Sequence, residues 1–219
     1  MLDSLLIKNF RSLEHLEVPK LGRVNLMVGK NNSGKSTVLE ALRIYAGNAQ
    51  RPLLEAIAQE HDERYRTRES ETMDEGTLMP FQDFFRDRSF PQDGTAIEIG
   101  SATGASELLR ISYEMMEESL GEPELLEGET INRIRRRYVP LDEADMFPGE
   151  LQPVILVRKG ERLFPPIKLL NGARRTSAYD LSSVPCSLIP TQFISMDELG
   201  DEWDRIVFTE QEAVVKRAL

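Results

Sequence analysis

Apolar and polar residues alternate in two short runs near the start of the chain. Leu5 and Ile7 form the first, and Leu13, Leu16 and Val18 the second, with a break at Asn9-Phe10-Arg11-Ser12. This pattern predicts two strands around a turn. Val24, Leu26 and Val28 alternate with Asn25 and Met27 and predict a third strand. After Ser36 the spacing changes: Val38, Leu39, Leu42 and Tyr45 fall at helical intervals. The Gly47-Asn48 pair then marks the end of that helix. A second helix is predicted from Pro52 to about Glu69, its charged tail running into a loop. "FQDFFRDRSF" reads as a short helix whose phenylalanines pack into a core.

The period then becomes two. "TAIEIGS" and "ELLRISYEM" read as paired strands, "RRRYVPL" as another, and "QPVILVRKGERLFPP" as a hairpin turning at Lys159-Gly160. "CSLIPTQFIS" is apolar and extended, as a strand returning to the main sheet would be. Capping boxes at Ser195-x-x-Glu198 and Thr209-x-x-Glu212 predict two closing helices. The second keeps an apolar face in Val214, Val215, Ala218 and Leu219 and shows no capping residue.

Composition narrows the class. The 219 residues suffice for one large domain or a domain with a subdomain, and at 40% hydrophobic they can build a core. No apolar run reaches membrane-spanning length, and "MLDSLLIKNF" is too short and polar for a signal peptide. No membrane partner is expected. The lone Cys186 excludes an internal disulfide and suits a cytoplasmic location; it reads as a small buried hydrophobe. His15 and His61 are too few for a metal cluster.

The net charge of −10 argues against a grip on a nucleic-acid backbone by this chain alone. The charge is uneven. Seven glutamates lie between Glu114 and Glu129, followed by Arg133, Arg135, Arg136 and Arg137, with Arg174-Arg175 later. These clusters read first as solvated faces, although a dimer could assemble a basic groove from them.

The sharpest signal is Gly29-Lys30-Asn31-Asn32-Ser33-Gly34-Lys35-Ser36, which fits G-x-x-x-x-G-K-[ST] between a predicted strand and a predicted helix. The glycines let the loop wrap a phosphate closely. Amides from about Asn32 to Thr37, including those of Ser33 and Gly34, would point at the anion from the positive end of a helix. Lys35 would meet the β and γ phosphates of ATP, and the Ser36 hydroxyl would ligate Mg²⁺. The alternative is a glycine-rich connection with no ligand.

Hydrolysis also needs an acidic residue at the end of a second strand. "QFISMDE" offers Asp197 and Glu198 as catalytic candidates, but Ser195 and Glu198 equally form a helix-starting box. No GTPase base-reading motif or kinase signature is present.

"LLIKNFRSLEHLEV…VNLMVGKNNSGKSTVLEAL" resembles the opening of ABC-type ATPases of the SMC and RecF group. Within that group it is closest in kind to the AAA-type ATPase domains of the overcoming-lysogenization-defect (OLD) family and related anti-phage proteins. The matching elements are Ile7-Lys8-Asn9-Phe10-Arg11-Ser12 and Gly29 to Ser36, and "DEWDRIVFTEQEAVVKRAL" is a looser match. The resemblance implies an α/β P-loop NTPase, the N-terminal part of an ABC/SMC-like head, with a mixed sheet and an antiparallel β lobe. Expected regions are 1–50 for the strand-turn-strand, loop and helix, 51–94 for a charged helical insert, 95–170 for the β lobe, and 171–219 for a return strand and closing helices.

The resemblance also implies that Arg11 lies near the nucleotide; the alternative is a solvent-exposed turn arginine. Two heads would sandwich ATP and Mg²⁺ in a homodimer, coupled to DNA transactions, phage defence or a nuclease partner. The signature motif, Walker B acids and switch histidine of such ATPases belong to a C-terminal half that is not found in this sequence. Gln82 and Gln192 are both open as the Q-loop glutamine. The whole protein is therefore expected to hydrolyse ATP when completed by that half and a dimer partner, possible DNA contact arising in the assembly. The alternative is a nucleotide-binding or partner-interaction module without hydrolysis of its own.

Overall fold

The computed structural model describes residues 2–61, 81–104, 107–126, 129–139, 141, 143–169, 184, 186–189, 199–201, 203–204, 207–209, 212–213 and 216–217. They belong to two compact units, Met1–Cys186 and Ser187–Leu219.

The first unit is built on one antiparallel sheet. Strands β1 (Leu5–Phe10) and β2 (Leu13–Val18) form the predicted hairpin, closing with Phe10 opposite Leu13. β3 (Ile97–Gly100) adds to the other edge of β1, and β4 (Leu109–Leu126) follows it. β5 (Glu129–Val139) and β6 (Gln152–Lys159) both pair with β4. Two short strands, β7 (Arg162–Leu163) and β8 (Ile167–Lys168), finish against β6. The predicted turn at Lys159-Gly160 is present, with Gly160 at φ 56°. The region expected as a β lobe thus continues the sheet begun by β1 and β2, and every pair among the described strands is antiparallel.

Helix α1 (Lys35–Ala46) buries Val38 and Tyr45 of the expected stripe, with Ala41 and Ile44 beside them, while Leu42 is partly buried and Leu39 faces out at 44% exposed. It ends at Gly47 as predicted, followed by Asn48 and Ala49 with positive φ. Helix α2 (Arg51–Glu60) has Pro52 in its first turn and buries Leu54, Ile57 and Ala58. Residues 62–69, the expected tail of this helix, lie outside the described residues.

The aromatic stretch folds as two 3₁₀ turns, Phe81–Phe84 and Arg86–Arg88. Its phenylalanines enter the core as expected: Phe81, Phe84 and Phe85 are buried with Ile7, Phe10, Ile44, Ile57, Ile97 and Ile155. Phe10 stacks on Phe84 at 6.2 Å between centroids.

One predicted strand takes a different form. Residues 24–28 carry no assigned strand, and Val24, Leu26 and Val28 are 90%, 88% and 81% exposed. Alternation supplies the face of a strand, but a ladder needs a neighbour to satisfy its backbone and cover its apolar side. No neighbour is found among the described residues.

In the second unit, residues 199–201, 203–204, 212–213 and 216–217 are helical. The second capping box closes one residue earlier than expected: the Glu212 carboxylate accepts from the amide of Phe208 at 2.9 Å. Of the expected return strand, residues 186–189 carry no assigned strand; residues 190–195, with Ser195 and Glu198, lie outside the described residues. No helix among those described is long and apolar enough to cross a membrane.

Candidate functional site: an anion cradle at the start of α1

The loop of residues 29–36 connects the exposed segment to α1. Gly34 is the N-cap residue, at φ 85° and ψ 10°, and no side chain caps the helix. The first amides of α1 therefore lack side-chain partners, and the first turn carries no acidic residue to repel an anion. Asn32 also has positive φ, at 61°, a conformation asparagine tolerates better than most residues.

The two glycines of the loop differ: only Gly34 has a backbone conformation that strains a side chain. A side chain at Gly34 would be strained by φ and would also meet Leu13 Cδ2 at 3.1 Å. At Gly29 the obstacle is space: a Cβ would sit 2.7 Å from Ser33 Oγ.

Lys35 folds back over the loop. Its Nζ donates to the carbonyls of Gly29 at 2.9 Å and Lys30 at 2.6 Å, and lies 3.5 Å from Ser33 Oγ. The positive charge thus sits inside the curve of the loop. Asn31, Asn32, Ser33 and Ser36 are exposed, and Thr37 is half-buried. These residues lie together around one turn whose curve holds the Lys35 ammonium. Ser36, the first-turn hydroxyl, is the candidate to hold Mg²⁺ beside a phosphate. No cluster of three or more acidic, histidine or cysteine side chains able to hold a metal occurs among the described residues.

Arg11 is neither at the surface nor directed into the loop curve. Its side chain is 11% exposed, with Nε 3.0 Å from Glu40 Oε2 on α1. Its guanidinium carbon lies 5.0 Å from the centroid of Phe84. The other Glu40 oxygen meets His61 Nε2 at 2.7 Å. One turn further along α1, Arg43 grips Glu60 through two bonds of 2.6 and 2.8 Å. This pairing raises the Arg43 pKa and lowers that of Glu60. Sequence reading missed Glu40, although a glutamate four residues before Ile44 on the inward stripe was a signal.

At the other end of α1, Lys159 of β6 donates to Asn48 Oδ1 at 2.9 Å and to the Tyr45 carbonyl at 3.4 Å. Its Nζ also lies 4.1 Å from the Tyr45 ring centroid. Burial lowers the Lys159 pKa.

The remaining candidates lie elsewhere. Gln82 is exposed on the first 3₁₀ turn. Asp197, Glu198, Gln192, Arg174 and Arg175 lie outside the described residues. Arg135, Arg136 and Arg137 are exposed along β5, where Arg136 pairs with Glu118 across the ladder at 3.0 Å. Arg137 stacks over Phe147 at 5.1 Å. Glu117 and Glu118 of β4 thus stand opposite Arg137 and Arg136, and Ser119 opposite Arg135, the arrangement of a solvated, charged edge. Cys186 is exposed rather than buried, contrary to the expectation of a small core hydrophobe.

A family model described as the AAA ATPase domain matches residues 1–115. The chain belongs to this family. Three relatives share shorter stretches with this AAA ATPase domain chain. An uncharacterized protein of Methanocaldococcus jannaschii is 44% identical over 45 residues, 20% of each chain. An ATP/GTP phosphatase of Helicobacter pylori is 36% identical over 52 residues, 24% of this chain and 14% of its own. An OLD nuclease of Thermus scotoductus is 44% identical over 48 residues, 22% of this chain and 9% of its own. The chain therefore spans a fifth or less of the length of each relative it matches. No solved structure matches the chain.

Proposed function

We propose that the loop of residues 29–36 is a Walker A site that binds ATP with Mg²⁺, and that this chain is the N-terminal part of an OLD-type, ABC/SMC-like ATPase. The observation that carries the reading is Gly34 and Lys35 together: an uncapped helix start in left-handed conformation, with a lysine ammonium folded into the loop. In this reading the amides of Asn31 to Thr37 hold the phosphates. Lys35 leaves the loop carbonyls to meet the β and γ phosphates, and Ser36 holds Mg²⁺. The metal would neutralise charge developing on those phosphates. Arg11 sits next to this machinery through Glu40 and supports the loop from behind.

Hydrolysis is assigned to the complete assembly. The exposed Val24, Leu26 and Val28 flank the loop directly, and a strand with that face requires cover from further residues. The short coverage of the two longer relatives, one of them named a nuclease, supports completion by a C-terminal half, a dimer partner and a nuclease activity, serving DNA transactions or phage defence in the cytoplasm. A second reading, nucleotide binding without turnover, is favoured for these 219 residues by the same uncovered segment.

Measuring ATP turnover by the purified chain separates the two readings. MgATP binding without turnover supports completion from elsewhere. Turnover that disappears in Lys35→Ala places catalysis within this chain, and Asp197→Asn would then identify its acid.

A further inference from the structure

The hairpin tip between β1 and β2 leans on the last glycine of the loop, and its conformation is one that side chains rarely adopt. Arg11 has φ 50° in a two-residue connection between the paired Phe10 and Leu13. A glycine would take this angle without strain. Arg11 is instead held there from three directions. Its amide donates to the Phe84 carbonyl at 2.9 Å. Its guanidinium lies over the Phe84 and Phe10 rings at 5.0 and 5.9 Å. Its Nε faces Glu40, whose side chain is only 8% exposed.

Glu40 occupies a position where α1 otherwise presents Val38, Ala41 and Ile44 to the core. A hydrophobic residue there would serve stability at least as well, because a buried ion pair gives back in desolvation much of what it gains in attraction. What the pair adds is an electrostatic tie at 3.0 Å between Nε and Oε2, without the geometry of a hydrogen bond. It ties the helix that follows the loop to the hairpin tip that touches the loop, with Leu13 Cδ2 at 3.1 Å and Ser12 Oγ at 3.7 Å from where a Gly34 Cβ would be.

We propose that Glu40 is a positioning residue of the nucleotide site: through Arg11 it sets the Arg11-Ser12-Leu13 tip against Gly34 and so fixes the direction of the loop amides. This inference rests on the nucleotide-binding reading above. His61 on the second Glu40 oxygen holds the carboxylate in the orientation that faces Arg11.

The test compares MgATP affinity, thermal stability and amide exchange in four variants of the purified chain. Glu40→Gln is expected to weaken MgATP binding about tenfold and to speed exchange of the amides at residues 12 and 34–36. Glu60→Gln breaks the neighbouring ion pair between α1 and α2 and is expected to lower stability while leaving affinity unchanged. Arg11→Met combined with Glu40→Leu removes both charges without leaving either one buried alone. It is expected to fold at least as stably as Glu40→Gln and still bind weakly. Wild-type affinity in that double variant would overturn the proposal, as would wild-type affinity in Glu40→Gln. If Glu40→Gln does not fold, the double variant decides. Lys35→Ala separates this inference from its foundation: if Lys35→Ala binds as wild type does, or wild type does not bind, the site assignment and this inference fall together. If only Lys35→Ala loses binding, the assignment stands and this inference alone fails.

Discussion

Leu13 and Gly34 are in van der Waals register: the Leu13 Cδ2 methyl lies 3.1 Å from the point where a Cβ on Gly34 would stand. A residue of the β1–β2 hairpin thereby limits which amino acid can end the phosphate loop. Because Gly34 also has φ 85°, Gly34→Ala is penalised by both backbone strain and contact. The expected destabilisation is about 1–3 kcal/mol, read as a lower urea midpoint at unchanged slope. The same variant should lose MgATP affinity, since relieving the strain turns the first amides of α1 away from the loop.

Ile44 anchors α1 in the core, fully buried beside Phe10 and Ile97. Ile44→Ala should cost about 2–5 kcal/mol, as truncation leaves a cavity that the sheet and aromatic turns close only in part. Equilibrium unfolding in denaturant checks this value. A cost below about 1 kcal/mol would mean that the helix is not seated on the sheet as described.

Leu26 illustrates the opposite environment. At 88% exposed it has no packing to lose, so Leu26→Asn should change the stability of this chain by no more than about 0.5 kcal/mol. The same change should reduce self-association, because it interrupts an exposed apolar run. Light scattering beside thermal melting separates the two effects. A large loss of stability would show that residues 24–28 are already covered.

Glu118 carries an acid dependence of known sign. Its bonds to Lys168, Arg136 and Gln152 hold its pKa below the ordinary carboxylate value, the Lys168 contact contributing most. A carboxylate with a depressed folded pKa contributes stability above its unfolded pKa, and loses it as pH falls through the folded value. Stability should therefore fall on acidification from the ordinary carboxylate range downward. Glu118→Gln should remove of order 1 kcal/mol of that dependence, measured as the difference between urea midpoints at about pH 7 and about pH 3.

Much of this architecture was legible in the sequence because its signals are local. The β1–β2 hairpin and the β6–β7 turn follow from period-two patterns around turn residues, and α1 from the spacing of Val38, Leu39, Leu42 and Tyr45 with Gly47 at its end, although Leu39 faces out. The length of β4 was not legible. Gly121 and Pro123 mark a break in any sequence reading, yet Pro123 pairs with Asn132 after a register shift on the β4–β5 ribbon, where a missing amide is tolerated. The Val24–Val28 segment shows the converse case: local alternation specifies a strand face, while the ladder depends on residues distant in sequence. The Arg11–Glu40–His61 cluster joins three elements, and no local pattern announces such a meeting. At the site, the motif singles out residues 29–36, and the structure places them at the start of α1; their role is the proposal above. The burial of Arg11 against α1 was not legible, because it depends on the aromatic turn around Phe84.

The most direct test of the central claim is MgATP binding by the purified chain, measured by calorimetry beside Lys35→Ala. Binding by the wild type and a loss of tenfold or more, about 1.4 kcal/mol, in Lys35→Ala is the predicted result. Equal affinity in the two proteins would contradict the assignment of residues 29–36 as the nucleotide site.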